Sequence, residues 1–461
     1  MFSYPRRPKL FRDPIHDVIS YDLDTEFGRT LVRLIDSQPM QRLRHIRQLG
    51  LAYFVYHGAE HSRFSHSMGC AYFCDRMFQA IHRGEKADPM QRLAVCAAGL
   101  LHDVGHAPFS HALESTLQQV LGFEGEHEDF TRRIILWEEG EIYQALHDVA
   151  PELPRKVADI ISHKSGSYTE PIVSSQLDAD RMDYLIRDGY MTGVQNYHYD
   201  AGRILEMLMH DEHGLVVSHR ALQAVESYLL SRFHMYQQVY YHKTVRAAEA
   251  QVESVFRRVL DLLRADDMSV LPDNPLGRLF NDALHRRQPL IEDYVRIDEH
   301  HAWESFHNWA HHPDPVLSTL CRGFEVRRLF KTVEIPRHQL QSFLETSRTH
   351  VDDLVRDHGF DPTYFTALDM AEETPLDPYE PPTDGLVAAL SLDVEAPNTA
   401  IRIHMGGGRI EPIEAVSEVA MALSRIRYRV YSYCVPLAAR AEVLELVRAR
   451  HGEPESTTFN E

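Results

Sequence analysis

Apolar residues recur at helical spacing through most of the first half of the chain. From Leu31 to about Leu262 they follow one another mainly at intervals of three and four, as in the segment LVRLIDSQPMQRLRHIRQLG. This periodicity predicts amphipathic helices packed into an all-α core. The prolines of this region lie between the periodic segments, where helices begin or end. They are Pro39, Pro89, Pro108, Pro151 and Pro154.

The pattern changes in the second half. Residues 263–360 keep the helical spacing but are more polar, which predicts a helical extension. Residues 361–385 contain five prolines among acidic side chains, which is typical of a linker or a long surface loop. The segments LVAALSLDV, IRIHM and YRVYSYCV are β-like, and LAARAEVLELVRARHG is helical. We therefore predict a mainly α protein with a core over 1–262 and a small α+β lobe over 386–461.

Composition narrows the class of protein. The 461 residues are 44% hydrophobic and 25% charged, which is typical of a soluble globular protein and excludes global disorder. The formal net charge of −20 argues against nucleic acid as the main ligand and against binding to an anionic membrane. An anionic ligand must then be bound by a local basic pocket.

The expected compartment is the cytoplasm. Five scattered cysteines without a C-x-x-C pair fit a reducing environment better than a disulfide framework. The first residues lack the apolar stretch of a signal peptide, and no run of about 18 apolar residues is present to span a membrane.

The segment LLHDVGHAPFSH is the densest group of residues with chemical potential. His102 and Asp103 end the apolar helical run AVCAAGLL, and His106 and His111 follow within ten residues. Imidazole and carboxylate groups at the end of a buried helix indicate a metal site. Because His106 is four residues after His102, we expect both on one face of the helix.

Two flanking segments add charged and aromatic side chains at helical spacing. Arg63 and His66 are three residues apart, which places them on one helix face. Asp180, Tyr184 and Asp188 recur every fourth residue in the segment LDADRMDYLIRD. Their apolar neighbours indicate that this stripe lines a cavity instead of facing solvent.

These motifs match the HD phosphohydrolase superfamily, whose hallmark is H…HD…D. Roughly residues 9 to 260 resemble the deoxynucleoside triphosphate triphosphohydrolases, in particular the sterile-alpha-motif and HD-domain type and its bacterial homologues. The resemblance implies an HD-domain helical core. Since that core begins almost at the first residue, we expect no sterile-alpha-motif domain before it.

The resemblance implies a divalent metal and a catalytic cluster. Two imidazoles and two carboxylates suit Mn, Fe, Mg, Ni or Zn. The implied metal ligands are His66, His102, Asp103 and Asp180. The implied catalytic histidines are His106, His111 and His127, with His111 the first candidate and His127 the second for protonating the leaving sugar oxygen. The family's reaction releases a nucleoside and an intact triphosphate.

The resemblance also implies a substrate site and an activator site. The implied phosphate-binding residues are Arg63, Arg181, Tyr184 and Arg232, and the implied sugar-contacting residues are Gln48, Leu49, Asp188 and Tyr240. The implied binding site for an activating GTP or dNTP comprises Lys9, Asp36, Gln41, Arg44, Arg203, Arg220 and Lys243. We expect nucleotide-driven assembly into a homo-oligomer, most simply a tetramer.

Two alternatives stay open at this point. One is an HD phosphohydrolase that acts on a second messenger or a nucleoside monophosphate. The other is a nucleotide sensor or a single-stranded nucleic-acid-binding protein in which catalysis is dispensable.

Overall fold

Helices form most of the protein, as the hydrophobic pattern predicts. The computed structural model describes residues 8–109, 113, 127–374, 376 and 400–453. The helices of the first part are α1 (Glu26–Ile35), α2 (Gln38–Arg42), α3 (Arg63–Ile81), α4 (Pro89–Leu101), α5 (His127–Ile135), α6 (Glu141–His147), α7 (Leu153–Ile161), α8 (Ala179–Thr192), α9 (Ala201–Glu206), α10 (Leu222–Met235) and α11 (Lys243–Arg264). Those of the second part are α12 (Pro275–Leu284), α13 (Ile291–Tyr294), α14 (Glu299–Trp309), α15 (Pro315–Glu325), α16 (Leu340–Thr346), α17 (Arg348–Asp357), α18 (Pro362–Phe365), α19 (Ile413–Val416), α20 (Glu418–Arg425) and α21 (Arg440–His451).

Nine strands form three small sheets within the described ranges. The strands are β1 (Lys9–Asp13), β2 (Asp17–Tyr21), β3 (Leu208–Asp211), β4 (Gly214–Ser218), β5 (Lys331–Glu334), β6 (Ala367–Glu373), β7 (Arg402–Gly406), β8 (Arg409–Pro412) and β9 (Tyr428–Val435). The sheets have the strand orders β1-β2, β3-β4-β7-β8 and β5-β9-β6. All pairings are antiparallel except β4 with β7, where Val217 lies opposite Ile403.

Helices α3, α4 and α8 form the centre of the core. Two glycines on these helices permit unusually close packing, because a Cβ atom at Gly99 would lie 2.4 Å from the Cys74 sulfur and one at Gly69 would lie 1.9 Å from an Asp183 carboxylate oxygen. The N-terminus of α8 is capped by Asp178, whose side chain accepts from the Arg181 backbone N–H at 2.7 Å. Burial raises the pKa of Asp178 to about 6, although Arg181 acts against this rise.

The C-terminal residues contain the strands and helices of the predicted small α+β lobe, but the sequence did not predict that two of these strands pair with earlier ones. The β-like character of IRIHM and YRVYSYCV is confirmed, since they form β7 and β9. However, β7 extends the β3–β4 hairpin of the core, while β9 lies between β5 and β6. Strand pairing between distant segments has no signature in the local pattern, which explains the difference.

Residues 361–385, for which the sequence predicts a linker or a long surface loop, contain a helix and a strand in the part that the structure describes. Pro362–Phe365 form α18, in which the proline occupies the first turn and needs no amide hydrogen. Ala367–Glu373 form β6, which pairs with β9 along its length. Residues 375 and 377–385, and with them most of the prolines, lie outside the described residues.

Arg42 connects three segments beneath the core surface. Its guanidinium donates to the backbone carbonyls of Ile297 at 2.6 Å, Val104 at 2.9 Å and His106. Its buried side chain also lies over the ring of Tyr294, 5.4 Å from the centroid. Arg42 therefore holds the turn after α4 against residues near the start of α14.

Two sequence expectations about exposure and membranes can be compared with the structure. The five cysteines are all buried and form no disulfide, as expected. Among the residues that the structure describes, no helix combines the length and apolarity needed to cross a bilayer.

We predict that Arg42→Met lowers the free energy of unfolding by about 3 kcal/mol or more, because a buried carbonyl left without a partner costs about 1–3 kcal/mol. Chemical denaturation monitored by circular dichroism measures this. The control is Arg33→Met, which removes an exposed ion pair to Asp148 and should cost at most about 1 kcal/mol. Equal losses in the two variants would contradict the role assigned to Arg42.

Candidate functional site

Two imidazoles and two carboxylates converge where α3, α4 and α8 meet. His66 lies on α3, His102 and Asp103 directly follow α4, and Asp180 lies in the first turn of α8. The Nε2 atoms of the two histidines are 3.3 Å apart. An Asp180 carboxylate oxygen lies 2.9 Å from His66 Nε2 and 3.5 Å from His102 Nε2. An Asp103 oxygen lies 3.3 Å from His102 Nε2.

The other nitrogen of each imidazole is engaged outside this centre. His66 Nδ1 donates to Asp183 at 2.9 Å, and His102 Nδ1 donates to the Gly99 carbonyl at 2.9 Å. Both Nε2 atoms thereby face the two carboxylates, where their lone pairs are available to a metal ion, an arrangement typical of metal-ligating histidines. Ligand atoms about 2.1 Å from one ion lie about 3 Å apart, so the observed spacing fits a single divalent metal held by these four side chains.

The electrostatics of the four side chains agree with a cation site. Burial lowers the pKa of His66, but hydrogen bonds with Asp180 and Asp183 outweigh it and raise the pKa to about 10. Burial likewise opposes the rise in the pKa of His102, which is driven chiefly by Asp103. Burial raises the pKa of Asp180, yet its bonds to His102 and His66 bring that pKa below the usual range. The centre therefore stabilises positive charge, a condition that a bound cation satisfies.

Two of the three histidines that are predicted to be catalytic, His106 and His127, lie beside this centre. His106 and His127 stack at 3.8 Å between ring centroids, with an interplanar angle of 14°. His106 Nε2 also lies 3.3 Å from an Asp103 oxygen. Burial and the charges of Arg63 and His127 lower the pKa of His106. His111 lies outside the described residues.

His106 is not on the same helix face as His102, contrary to the expectation from their spacing. Helix α4 ends at Leu101, and the next residues form a turn in which the His106 N–H donates to the Asp103 carbonyl. Gly105 in this turn packs against α5, where an added Cβ would lie 2.1 Å from the His127 carbonyl oxygen. This contact brings His106 next to His127.

Two adjoining cavities surround these residues. One has a volume of about 290 Å³ and contains the four implied metal ligands together with His106, His127 and Glu128. The other has a volume of about 450 Å³ and is lined by aromatic and polar side chains. Gln48, Arg63 and Tyr184 line both cavities, so they form the wall between them.

The implied sugar-contacting residues all line the larger cavity. They are Gln48, Leu49, Asp188 and Tyr240. Asp188 is buried and accepts from His61 at 2.7 Å and from the Tyr240 hydroxyl at 2.9 Å. The Gln48 side-chain oxygen is buried and has no hydrogen-bond partner among the described residues.

Of the implied phosphate-binding arginines, Arg63 lines both cavities and donates to an Asp103 oxygen at 2.7 Å. Arg181 and Arg232 lie close to Tyr184 and Tyr236 of the larger cavity. Burial and the charge of Arg181 act to lower the pKa of Arg232, but the neighbouring tyrosines outweigh them and the pKa is raised. The Nη1 atom of Arg181 is buried without a hydrogen-bond partner in the part of the chain that the structure describes.

The implied activator residues lie at several places. Lys9 begins β1, and Asp36 is an exposed residue directly after α1. Gln41 accepts from Arg44 at 2.8 Å, and Arg203 donates to the Arg220 carbonyl at 3.1 Å. Lys243 lines a pocket of about 270 Å³ that Lys331 and Arg440 also line.

The sequence prediction did not include several residues of the site. His16, His61, Asp183 and Arg187 bond to the implied ligands or to their neighbours. Tyr236 lies in a π-helical turn over Tyr236–Tyr240, which follows α10 and carries Tyr236 and Tyr240 into the larger cavity. A π-helical turn leaves no regular periodicity, although such turns are frequent at functional sites.

Comparisons with known proteins agree on one family. Residues 63–188 match the family described as HD domain, and residues 199–296 match the HD associated region. The protein YwfO of Bacillus subtilis (strain 168) is 38% identical over 378 residues, covering 81% of this chain and 82% of that protein. Deoxynucleoside triphosphate triphosphohydrolase SAMHD1 of Gallus gallus is 27% identical over 386 residues, covering 76% of this chain but 58% of that protein.

A solved structure extends the similarity to nearly the whole chain. The crystal structure of a phosphohydrolase from Bacteroides thetaiotaomicron superposes with a TM-score of 0.76 at 26% sequence identity. The match covers 93% of this chain and 100% of that chain.

We predict that Asp180→Ala abolishes the binding of a divalent metal while leaving the helical circular dichroism unchanged, because it removes one of four convergent ligands. Elemental analysis of the purified protein measures the metal. The matched control is Asp75→Ala, which removes an α3 carboxylate that pairs with Arg92 at 2.6 Å and does not contact the metal ligands. Full metal occupancy in Asp180→Ala would exclude Asp180 as a ligand.

Proposed function

Because this chain belongs to the HD domain family, we propose that it is a metal-dependent phosphohydrolase that cleaves deoxynucleoside triphosphates into deoxynucleoside and triphosphate. The name of the Gallus gallus relative gives this activity for that protein. The family match and the named phosphohydrolase neighbour support the reaction class. The choice of substrate depends on the site itself.

The pair of adjoining cavities is the observation that carries this proposal. A nucleoside triphosphate needs a site for its anionic phosphates next to a site for its sugar and base. The smaller cavity offers the metal ligands, and the larger one offers aromatic rings and hydroxyl-binding groups. Gln48, Arg63 and Tyr184 lie between them, where the bond between sugar and phosphate would be.

Local positive charge supports a polyphosphate ligand despite the net charge of −20. Arg63 lines both cavities, and Arg181 and Arg232 lie close to Tyr184 and Tyr236, two tyrosines that line the larger one. Guanidinium groups bind phosphate oxygens in a bidentate manner. The unpaired Arg181 Nη1 is the clearest of these donors within the described chain. We assign the phosphate chain to Arg63, Arg181, Tyr184 and Arg232.

The larger cavity supports a 2′-deoxyribose. Asp188 is fixed by His61 and Tyr240, and each carboxylate oxygen retains capacity to accept a substrate hydroxyl. The 3′-hydroxyl can donate its one proton to Asp188 and accept from the side-chain amide of Gln48. Leu49 and Tyr240 would exclude a ribose, because a 2′-hydroxyl there would clash or lose its hydrogen bonds.

The hydrolysis adds one water across the bond between the sugar oxygen and the α-phosphorus. A divalent metal bound by His66, His102, Asp103 and Asp180 supplies Lewis acidity toward the phosphoryl group and the attacking water. The phosphorus gains the water oxygen, and the sugar oxygen leaves with a proton. His127, which lines the smaller cavity and stacks on His106, can donate that proton, and His111 stays a prediction for the same step.

We further propose that nucleotide binding at subunit contacts activates the enzyme by assembling an oligomer, for which a tetramer is the simplest form. The basic pocket of Lys243, Lys331 and Arg440 supports this proposal, because burial and, after it, the charges of Arg327 and Arg440 lower the pKa of Lys331. An anion bound in this pocket would offset the repulsion between Lys331 and its neighbouring arginines. Asp36 and Arg44 supply an acceptor and a donor for a guanine base.

We predict that the purified protein with a divalent metal converts a dNTP into deoxynucleoside and triphosphate. In water enriched with oxygen-18, the label should enter the triphosphate and not the nucleoside. Anion-exchange chromatography and mass spectrometry measure both products. The matching ribonucleotide should react at least about 10-fold more slowly, because one poorly placed polar group costs more than about 1.4 kcal/mol.

Three results would contradict this function. Pyrophosphate or orthophosphate as the first product would exclude attack on the α-phosphorus. Faster hydrolysis of a cyclic dinucleotide, or of a nucleoside monophosphate, would favour a different HD phosphohydrolase. Binding of nucleotides without turnover in the presence of metal would indicate a sensor.

We predict that GTP or a dNTP mixture raises both the rate and the mass of the assembly, since a ligand that binds only the oligomer shifts the equilibrium toward it. Arg44→Ala should remove this activation and leave metal content unchanged. Arg76→Ala is the matched control, because both are exposed arginines over an aromatic ring, that of Phe64 for Arg44 and that of Tyr72 for Arg76. Light scattering with a parallel dNTP assay tests this, and full activity of an unassembled protein would contradict it.

A further inference from the structure

The metal ligand His66 is connected to the N-terminal hairpin through one buried carboxylate. Asp183 has no solvent exposure and lies one turn after Asp180 on α8. One of its oxygens accepts from His66 Nδ1 at 2.9 Å, and the other accepts from His16 Nε2 at 2.7 Å. His16 belongs to the turn between β1 and β2.

A second connection joins the same carboxylate to the hairpin. Arg187 donates to both oxygens of Asp183, at 2.8 and 2.9 Å, and to both oxygens of Asp13, at 2.9 and 3.3 Å. Asp13 in turn accepts the backbone N–H groups of Ile15 and His16. Asp13, which pairs with Arg187, therefore also fixes the turn that contains His16.

Close packing surrounds Asp183 and its partners. An added Cβ at Gly69 would lie 1.9 Å from an Asp183 oxygen and 2.5 Å from the guanidinium of Arg187. The His16 ring packs against Tyr72 and Phe73 of α3, with centroid separations of 4.4 and 5.0 Å. The hairpin thus contacts the helix that carries His66 as well as the carboxylate behind it.

We propose that Asp183 is a positioning residue for His66. The N-terminal hairpin, through His16 and the Asp13–Arg187 pair, holds Asp183 in place and thereby contributes to metal binding. A carboxylate that accepts from the outer nitrogen of a ligating histidine fixes the ring orientation and makes the inner nitrogen a stronger donor. Loss of His16 would remove one of the donors that orient the Asp183 carboxylate and would weaken metal binding without removing any ligand.

The test is a metal titration that does not depend on activity. Metal-free protein is titrated with Mn²⁺, and the dissociation constant is measured by electron paramagnetic resonance of the free ion. All proteins carry His307→Ala, because His307, His311 and Glu325 form a second, exposed group of possible ligands. This inference rests on the metal site of the proposed function, so Asp180→Ala is included to test that site separately.

We expect His16→Ala to raise the Mn²⁺ dissociation constant, by at most the roughly 10-fold to 100-fold that follows from removing a direct outer partner of a metal ligand such as Asp183. His16→Gln should keep nearly normal affinity, since its amide N–H can still donate to Asp183. His82→Ala is the matched control: His82 is buried at the end of α3 and bonds to the Phe78 carbonyl and the Tyr168 hydroxyl. It should lower stability but leave the dissociation constant unchanged.

Equal Mn²⁺ affinity in His16→Ala and His82→Ala would overturn the positioning role. If His16→Ala does not fold, Asp183→Asn is measured instead. An Mn²⁺ affinity of Asp183→Asn equal to that of His16→Gln would likewise overturn the positioning role. Normal binding in Asp180→Ala, or no binding by the protein with all four ligands, would reject the metal site and with it both proposals.

Discussion

The need to bury mutually attracting charges in one small centre is the constraint on which this structure depends. Four ionisable side chains lie within a few ångströms at the junction of α3, α4 and α8. Removing such groups from water is costly unless each has partners. The partners are the Gly99 carbonyl, Asp183, Arg63 and, further out, Arg187 and Asp13. The close helix packing at Gly69 and Gly99 follows from this requirement.

The same constraint explains how an acidic protein can offer a site to an anion. The acidic residues that produce the net charge of −20 are spread over the sequence, whereas the arginines near the site are largely buried. Within a low-dielectric interior a nearby cation acts more strongly than distant surface charge, which water and salt screen. The nearby buried charges therefore determine the electric field at the wall formed by Gln48, Arg63 and Tyr184.

Motif spacing and the family resemblance together identified four side chains that the structure brings together and four residues that line the larger cavity, because each lies in a segment with clear local chemistry. They were not sufficient for interactions between distant segments. The bond of His16 to Asp183 joins residues 167 apart, and Arg42 reaches carbonyls at Val104 and Ile297. Helical periodicity also placed His106 on α4, although the contact of Gly105 with α5 ends the helix earlier. Proline content suggested a linker where α18 and β6 form.

The parallel pairing of β4 with β7 has a consequence for biosynthesis. The β3–β4 hairpin leaves the ribosome nearly two hundred residues before its partner strand, which lies at Arg402–Gly406. Until then the inner edge of β4 presents unpaired backbone groups, which another nascent chain can bind. Non-local strand pairing is also slow. This sheet therefore reaches its final form only after β7 has been synthesised, and a chaperone that shields this edge would raise the yield of folded protein.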